Sequence, residues 1–149
     1  MFYEIEQYHR HNNAIRSVDI TFKNEKINDE NFNTFIDDWN NLDKSNEDFA
    51  LFFNTEYLIQ QPSIKYAFNM SSFIKRKKKQ KIQYLKYSII YVSSKSTMLL
   101  LRIIFNISSP IAPVYIIDYN DIERINNLRD KIERNEDINK PDIKVCFKP

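Results

Sequence analysis

Residues 87–118 read YSIIYVSSKSTMLLLRIIFNISSPIAPVYIID, and this stretch parses as strand, helix, strand. Two runs of β-branched and aromatic residues, Tyr87 to Val92 and Ala112 to Ile117, flank a helical pattern too long for a hairpin loop. The two strands are therefore expected to lie parallel. A parallel sheet has to be covered on both faces, so the rest of the chain is read as the source of those covers.

Working backwards, Phe49 to Phe53 is a continuous apolar run, FALFF, of the length of a fully buried strand. Between it and Tyr87, a helix is expected from about Ser63, its N-cap, toward Leu85, with Ala67, Met70 and Ile74 on its inner face beside Tyr66 and Phe73. The pattern lapses across Lys75 to Lys81, so a break inside that run is anticipated. Upstream, Asn28-Asp29-Glu30 caps a helix with Phe32, Phe35, Ile36, Trp39 and Leu42 on one stripe. Phe2 to Tyr8 and Ala14 to Phe22 alternate around His11-Asn12-Asn13, as an edge hairpin does.

Downstream, Ser93-Ser94-Lys95-Ser96-Thr97 opens a helix bearing Leu100, Ile103, Ile104 and Ile107, closed by Ser108, Ser109 and Pro110. Asn120 and Glu123 read as a capping box for a last helix with Ile122, Ile125, Leu128 and Ile132 on one stripe. The expected architecture is a single-domain α/β fold: a mixed, mostly parallel sheet with amphipathic helices, in βαβαβα order after an N-terminal hairpin. The domain is placed at residues 1–134 and a C-terminal tail at 135–149. In that tail Ile143, Val145 and Phe147 alternate with Lys144, Cys146 and Lys148, the pattern of a short edge strand or a free end.

Composition narrows the function. The 149 residues contain no glycine, against 22 Ile, 17 Asn and 15 Lys. No GxGxxG or P-loop phosphate cradle can therefore exist, nor a GxSxG nucleophile elbow. Positive φ angles must fall to Asn or Asp. Codon bias toward A and T, as in large DNA viruses, some protists and endosymbionts, explains the Ile, Asn and Lys excess, and a viral structural or accessory protein is one natural version of it. The lone Cys146 builds no disulfide scaffold. The acid- and histidine-bearing start, MFYEIEQYHRH, is not a signal peptide, and no apolar run reaches membrane-spanning length, so a cytoplasmic protein is expected, in a host's cytoplasm or a virion if viral. No cofactor is implied.

Net charge is only +2, but residues 1–56 carry 5 basic and 12 acidic side chains, residues 57–117 carry 10 and none, and residues 118–149 carry 7 and 8. The basic run Lys75-Arg76-Lys77-Lys78-Lys79-Gln80-Lys81 is the strongest local signal. Dense positive charge suits an acidic protein surface, or phosphates, with Phe68, Phe73, Tyr84 and Tyr87 available for base stacking. It equally suits a solvated helix end complementing the C-terminal dipole.

Other constellations are weaker. His9 and His11 sit i and i+2 near Glu4 and Glu6, a metal pair with no third histidine to join it. Asp37 and Asp38 are adjacent on a helix and diverge. Asp118 and Asp121 follow a strand end, where α/β sites collect, but helix capping explains them as well. Ser93, Ser94, Ser96 and Thr97 form a hydroxyl-rich helix entrance that suits an anion or a cap. No catalytic residue is assigned and no enzyme is expected.

The order of a strand pair, a short helix, FALFF, a longer helix and two short βα units resembles the STAS domain of anti-sigma-factor antagonists and sulfate transporters, and more distantly the Sec14-like (CRAL-TRIO) lipid-binding fold. The resemblance covers roughly Ala14 to Ile132 and rests on pattern. STAS domains close the strand matching Phe49 to Phe53 with an aspartate, and cap the long helix with an Asp-Ser pair whose serine is the switch in antagonists. Here those positions are Asn54, Pro62 and Ser63, so the serine is present and the acids and the following glycine are not. The resemblance implies a non-catalytic domain that binds a partner through the start of the long helix and the loop before it. A Sec14-like lipid pocket normally takes a longer chain.

The expected function is thus a protein-interaction or assembly module. It would meet an acidic partner through Pro62, Ser63, Lys75, Arg76, Lys77, Lys78, Lys79 and Lys81; the alternative is a nucleic-acid-binding protein using residues 75–81. Membrane is not an expected partner.

Overall fold

A computed structural model describes residues 1–10, 15–58 and 62–149. The elements are β1 (Tyr3–His9), β2 (Arg16–Phe22), α1 (Asp29–Leu42) with a 3-10 turn at Asp43–Ser45, β3 (Phe49–Asn54), α2 (Ile64–Lys78), β4 (Leu85–Tyr91), α3 (Lys95–Ile107), β5 (Val114–Ile117), α4 (Ile122–Glu133) and β6 (Val145–Phe147). The strands form one six-stranded sheet in sequence order. β2, β3, β4 and β5 run parallel, with β1 and β6 antiparallel at the two edges. The mixed, mostly parallel α/β sheet expected from residues 87–118 is the fold. The turn read at His11-Asn12-Asn13 lies outside the described residues.

Period-two alternation sorts the strands between two unequal covers. Val18, Ile20, Phe49, Leu51, Phe53, Ile90, Val114 and Ile116 face a core built with Phe35, Trp39 and Leu42 of α1 and Phe73 of α2, against which Met98, Leu101 and Phe105 of α3 also pack. Ala50, Tyr87, Ile89 and Ile117 face the other way, onto Ile125 and Leu128 of α4 and onto Ile138 and Ile143 of the C-terminal segment. Residues 135–149, read as a tail, thus contribute both to this second layer and to the sheet edge.

Details of the elements differ from the sequence reading for local reasons. The long helix ends at Lys78, because β4 already begins at Leu85. A register shift beside Phe49 and Ala50 absorbs Lys86, so that Leu85 and Tyr87 face opposite layers. The N-cap of α4 is Asp121, which accepts from the Glu123 amide at 3.0 Å, and not Asn120. α3 is apolar over a wide arc, broken by the face of Lys95, Arg102 and Asn106, so the stripe read from the sequence covers only part of its buried side. Thr97, Met98, Leu101 and Phe105 turn toward the sheet, Leu100 and Ile103 meet α2, and Ile107 is exposed. Among the described residues the left-handed conformation occurs at Asn46 (φ 53°) and Asn135 (φ 54°), as a glycine-free chain requires.

The α4 layer is fastened by buried charge. Arg129, 3 % exposed, donates to the Tyr8 hydroxyl at 3.0 Å and to Asp19 at 3.2 Å, and its guanidinium lies 5.5 Å from the Phe52 ring centroid. Arg10 reaches Asp130 at 2.5 Å and Glu133 at 3.0 Å. Glu133 also accepts from Tyr87 at 2.9 Å. Burial, then the Glu133 carboxylate, holds the Tyr87 phenol far above its ordinary value of 10.0. Removing one partner from such a network strands the others. Arg129→Ala is therefore expected to cost about 3–5 kcal/mol in urea unfolding followed by Trp39 fluorescence. The pH dependence follows from Tyr87. Its folded-state value lies above that of the unfolded chain, so unfolded molecules ionise first, and stability that is intact below pH 10 falls as pH rises further. Tyr87→Phe should flatten that alkaline limb in urea midpoints measured between pH 8 and 11.

Candidate functional site

Ser63 caps α2, its hydroxyl accepting from the Lys65 amide at 3.3 Å, and Pro62 precedes it beside the mouth of the main core. The basic residues lie at the other end of the same helix. Fifteen residues at 1.5 Å rise separate the two groups by roughly 20 Å, so they do not form one site.

The basic run divides again. Lys77, 5 % exposed, is turned inward and ion-paired with Asp43 just after α1, which removes it from any partner-binding surface. Lys78 is exposed but donates to the Ser109 hydroxyl at 2.6 Å. Lys75, Arg76, Lys79 and Lys81 stand in solvent. Of the neighbouring aromatics, Phe73 and Tyr87 are core residues and Tyr84 donates to the Asn46 side chain at 3.1 Å. Only Phe68, 50 % exposed, remains open for contact.

Neutralising the two lysines separates core from surface. Lys77→Gln leaves Asp43 unpaired and should lower stability by about 3 kcal/mol. Lys75→Gln should change it by about 0.5 kcal/mol or less. Paired urea titrations read the difference.

The outward side of α2 and α3 was not singled out in the sequence reading. The helices pack against each other through Ala67, Ile74 and Ile104, and the buried hydroxyl of Ser71 lies 3.0 Å from the Ala67 carbonyl and 3.2 Å from that of Ile104. Ile64, Phe68, Lys75 and Lys79 fall within about 60° of one another on the helical wheel of α2, and all four are exposed. On α3, Lys95, Leu99, Arg102 and Asn106 make the corresponding exposed strip. Leu99, which shares a helical phase with Lys95, Arg102 and Asn106, is the sequence signal that would have found this surface: an apolar residue on the polar side of an amphipathic helix.

The remaining candidates are structural. Ser94 caps α3, accepting from the Thr97 amide at 3.1 Å, and Asp121 caps α4. Asp118 is exposed at the end of β5. Asp38 accepts from the Tyr3 hydroxyl at 2.5 Å. His9 lies 3.6 Å from Glu47, and His11 is outside the described residues. Among the described residues no three His, Cys, Asp or Glu side chains gather as a metal site, and no helix is long and apolar enough to cross a membrane.

Between the sheet and α1–α3 lies an apolar cavity of about 150 Å³. Its origin is a set of small residues where large ones would fit: Ser88 on β4, Ala67 on α2 and Ala112 before β5 all line it.

Comparison with protein-family models, with curated proteins and with solved structures gives no match to this chain.

Proposed function

We infer that the protein is a non-catalytic docking module that holds an acidic partner protein on the outward face of α2 and α3. The observation that carries this reading is the pairing of charge with exposed apolar surface there. Residues 57–117 contain ten basic and no acidic side chains, and the two helices from this stretch lie side by side. Ile64, Phe68 and Leu99 are each at least half exposed, with Lys75, Arg76, Lys79 and Arg102 around them. Such a face fits a segment that presents apolar side chains between carboxylates, as an acidic amphipathic helix does. Phe68 would supply the anchoring contact and the lysines the steering. A STAS-like role favours the same helix, since that resemblance points to the start of α2 at Ser63. The burial of Phe73 and Tyr87 argues against base stacking along the basic run.

The test is crosslinking mass spectrometry on the protein in the cells that produce it. Lysines 75, 79 and 81 are expected to join an acidic segment of another protein. Phe68→Ser and the quadruple change K75Q/R76Q/K79Q/K81Q should each reduce recovery of that protein at least tenfold without moving Tm by more than about 2 °C, because all five side chains are exposed. Crosslinks confined to the β1 or β6 edge would overturn the reading. So would RNA recovered in place of a protein and lost on the quadruple change, with binding that falls steeply as salt rises.

A further inference from the structure

We propose that the cavity between the sheet and α1–α3 is a binding site for a small neutral ring molecule carrying one hydroxyl group, a phenol or an alicyclic alcohol. It lies on the sheet side of α2 and α3, opposite the outward docking face, and does not depend on that reading.

The size comes from the volume. About 150 Å³ matches the apolar cavities that take up a single benzene ring, and is too small for two rings. Neutrality comes from the lining, since no charged side chain reaches the space. A carboxylate or ammonium would enter without a counter-charge and with its hydration lost.

The single hydroxyl comes from Ser88. Four side chains that carry hydroxyls line the cavity, Thr55, Tyr66, Ser88 and Thr97, and the Tyr66 hydroxyl is turned out to Asp29, to which it donates at 3.0 Å. Thr55 is committed, donating to the Tyr91 carbonyl at 2.7 Å. Thr97 is held at the start of α3, its oxygen accepting from Ser94 at 2.8 Å. Ser88 is 3 % exposed, and its hydroxyl forms no hydrogen bond among the described residues. Its strand neighbours in register are Leu51 on β3 and Val114 on β5, both buried and apolar. A lone hydroxyl in the middle of an apolar row, opening onto a cavity of one-ring size, is the arrangement that selects a ring bearing one polar oxygen over a plain hydrocarbon.

The experiment uses the full chain with benzene, phenol, cyclohexanol and benzoate as probes, followed by methyl NMR titration and thermal unfolding. Phenol and cyclohexanol should shift the methyl signals of Leu101 and Ile90 saturably with 1:1 stoichiometry and raise Tm. Benzene should bind more weakly and benzoate not at all. Ser88→Ala should weaken phenol binding about three- to tenfold and leave benzene unchanged. Ala112→Leu should abolish both by occupying the space; if that variant does not fold, Leu101→Phe fills it from α3. Absence of saturable binding by any neutral probe would overturn the proposal. Equal binding to the cavity-filled variant, or phenol affinity indifferent to Ser88→Ala, would overturn it too.

Discussion

The structure depends on three adjacent parallel strands, β3, β4 and β5, that must be sealed from water on both faces. Because the strands from β2 to β5 are laid down in sequence order across the sheet, right-handed crossovers of the same sense carry α1, α2 and α3 to the same face. That face acquires a thick helical layer and the larger core. The opposite face is left to whatever follows β5, which is one helix of twelve residues and the C-terminal segment. One helix cannot cover so wide a sheet with aliphatic side chains alone. Long arginines make up the width: Arg129 and Arg10 reach across to Asp19, Tyr8 and the acids of α4, so that charge on this side does what leucine and phenylalanine do on the other.

The same economy explains where the segregated charges of the chain go. The acid-rich first third and the acid-free middle meet at α1 and α2, and their opposite signs are used at both ends of that pair. Asp29 accepts from Lys65 at 2.7 Å and from Tyr66 at 3.0 Å, and the Lys65 ammonium, followed by the Tyr66 hydroxyl, pulls its carboxyl below the ordinary value. At the far end Asp43 takes Lys77. Helix α1 has no basic residue in its own last turn, and Arg16 from β2 supplies one by donating to the Leu42 carbonyl at 2.7 Å. Once these pairs are drawn, the α2 cations that stand in solvent, Lys75 and Arg76, lie on its outward side. A run that reads as one block of charge is thereby sorted into fastening and surface.

Much of the fold was legible because its strands leave little ambiguity. FALFF, SIIYV and PVYII are short, apolar and bounded by polar turns, and the stripes of α1 and α4 each allow one orientation. What was not legible has specific causes. Lys77 looks identical in sequence to Lys75 and Lys79, and only the phase set by Phe73 and Ile74 turns it inward. α3 carries apolar residues over a wide arc: of the stripe read as Leu100, Ile103, Ile104 and Ile107, Ile104 is buried, Leu100 and Ile103 pack beside it against α2 and Ile107 is exposed, while Met98, Leu101 and Phe105 extend the buried arc toward the sheet. The cavity was illegible for another reason. Ser88, Ala67 and Ala112 lie at 21- and 24-residue intervals along the chain, and small residues leave no signal until folding sets them around the same space.

Absence of glycine bears on where function can sit. With no residue free to approach a ligand by its bare backbone, the turns of this chain are Asn- and Ser-rich, and its hydroxyl and carboxylate clusters at the strand ends are spent on caps: Ser63 for α2, Ser94 for α3, Asp121 for α4. Among the described residues, Ser63, Ser94 and Asp121 at the loop edge that serves most α/β proteins thus hold helices in place. The contacts proposed above use instead side chains fixed on regular elements, on the two sides of one helical layer. Outward, α2 and α3 present aromatic and aliphatic groups among exposed cations. Inward, the same helices roof an apolar space with a single uncommitted hydroxyl. Ser71 links the two helices, its hydroxyl lying within hydrogen-bond distance of a backbone carbonyl on each, so a partner on either of the proposed surfaces would meet side chains held on packed helices and would not carry the ordering cost of a mobile loop.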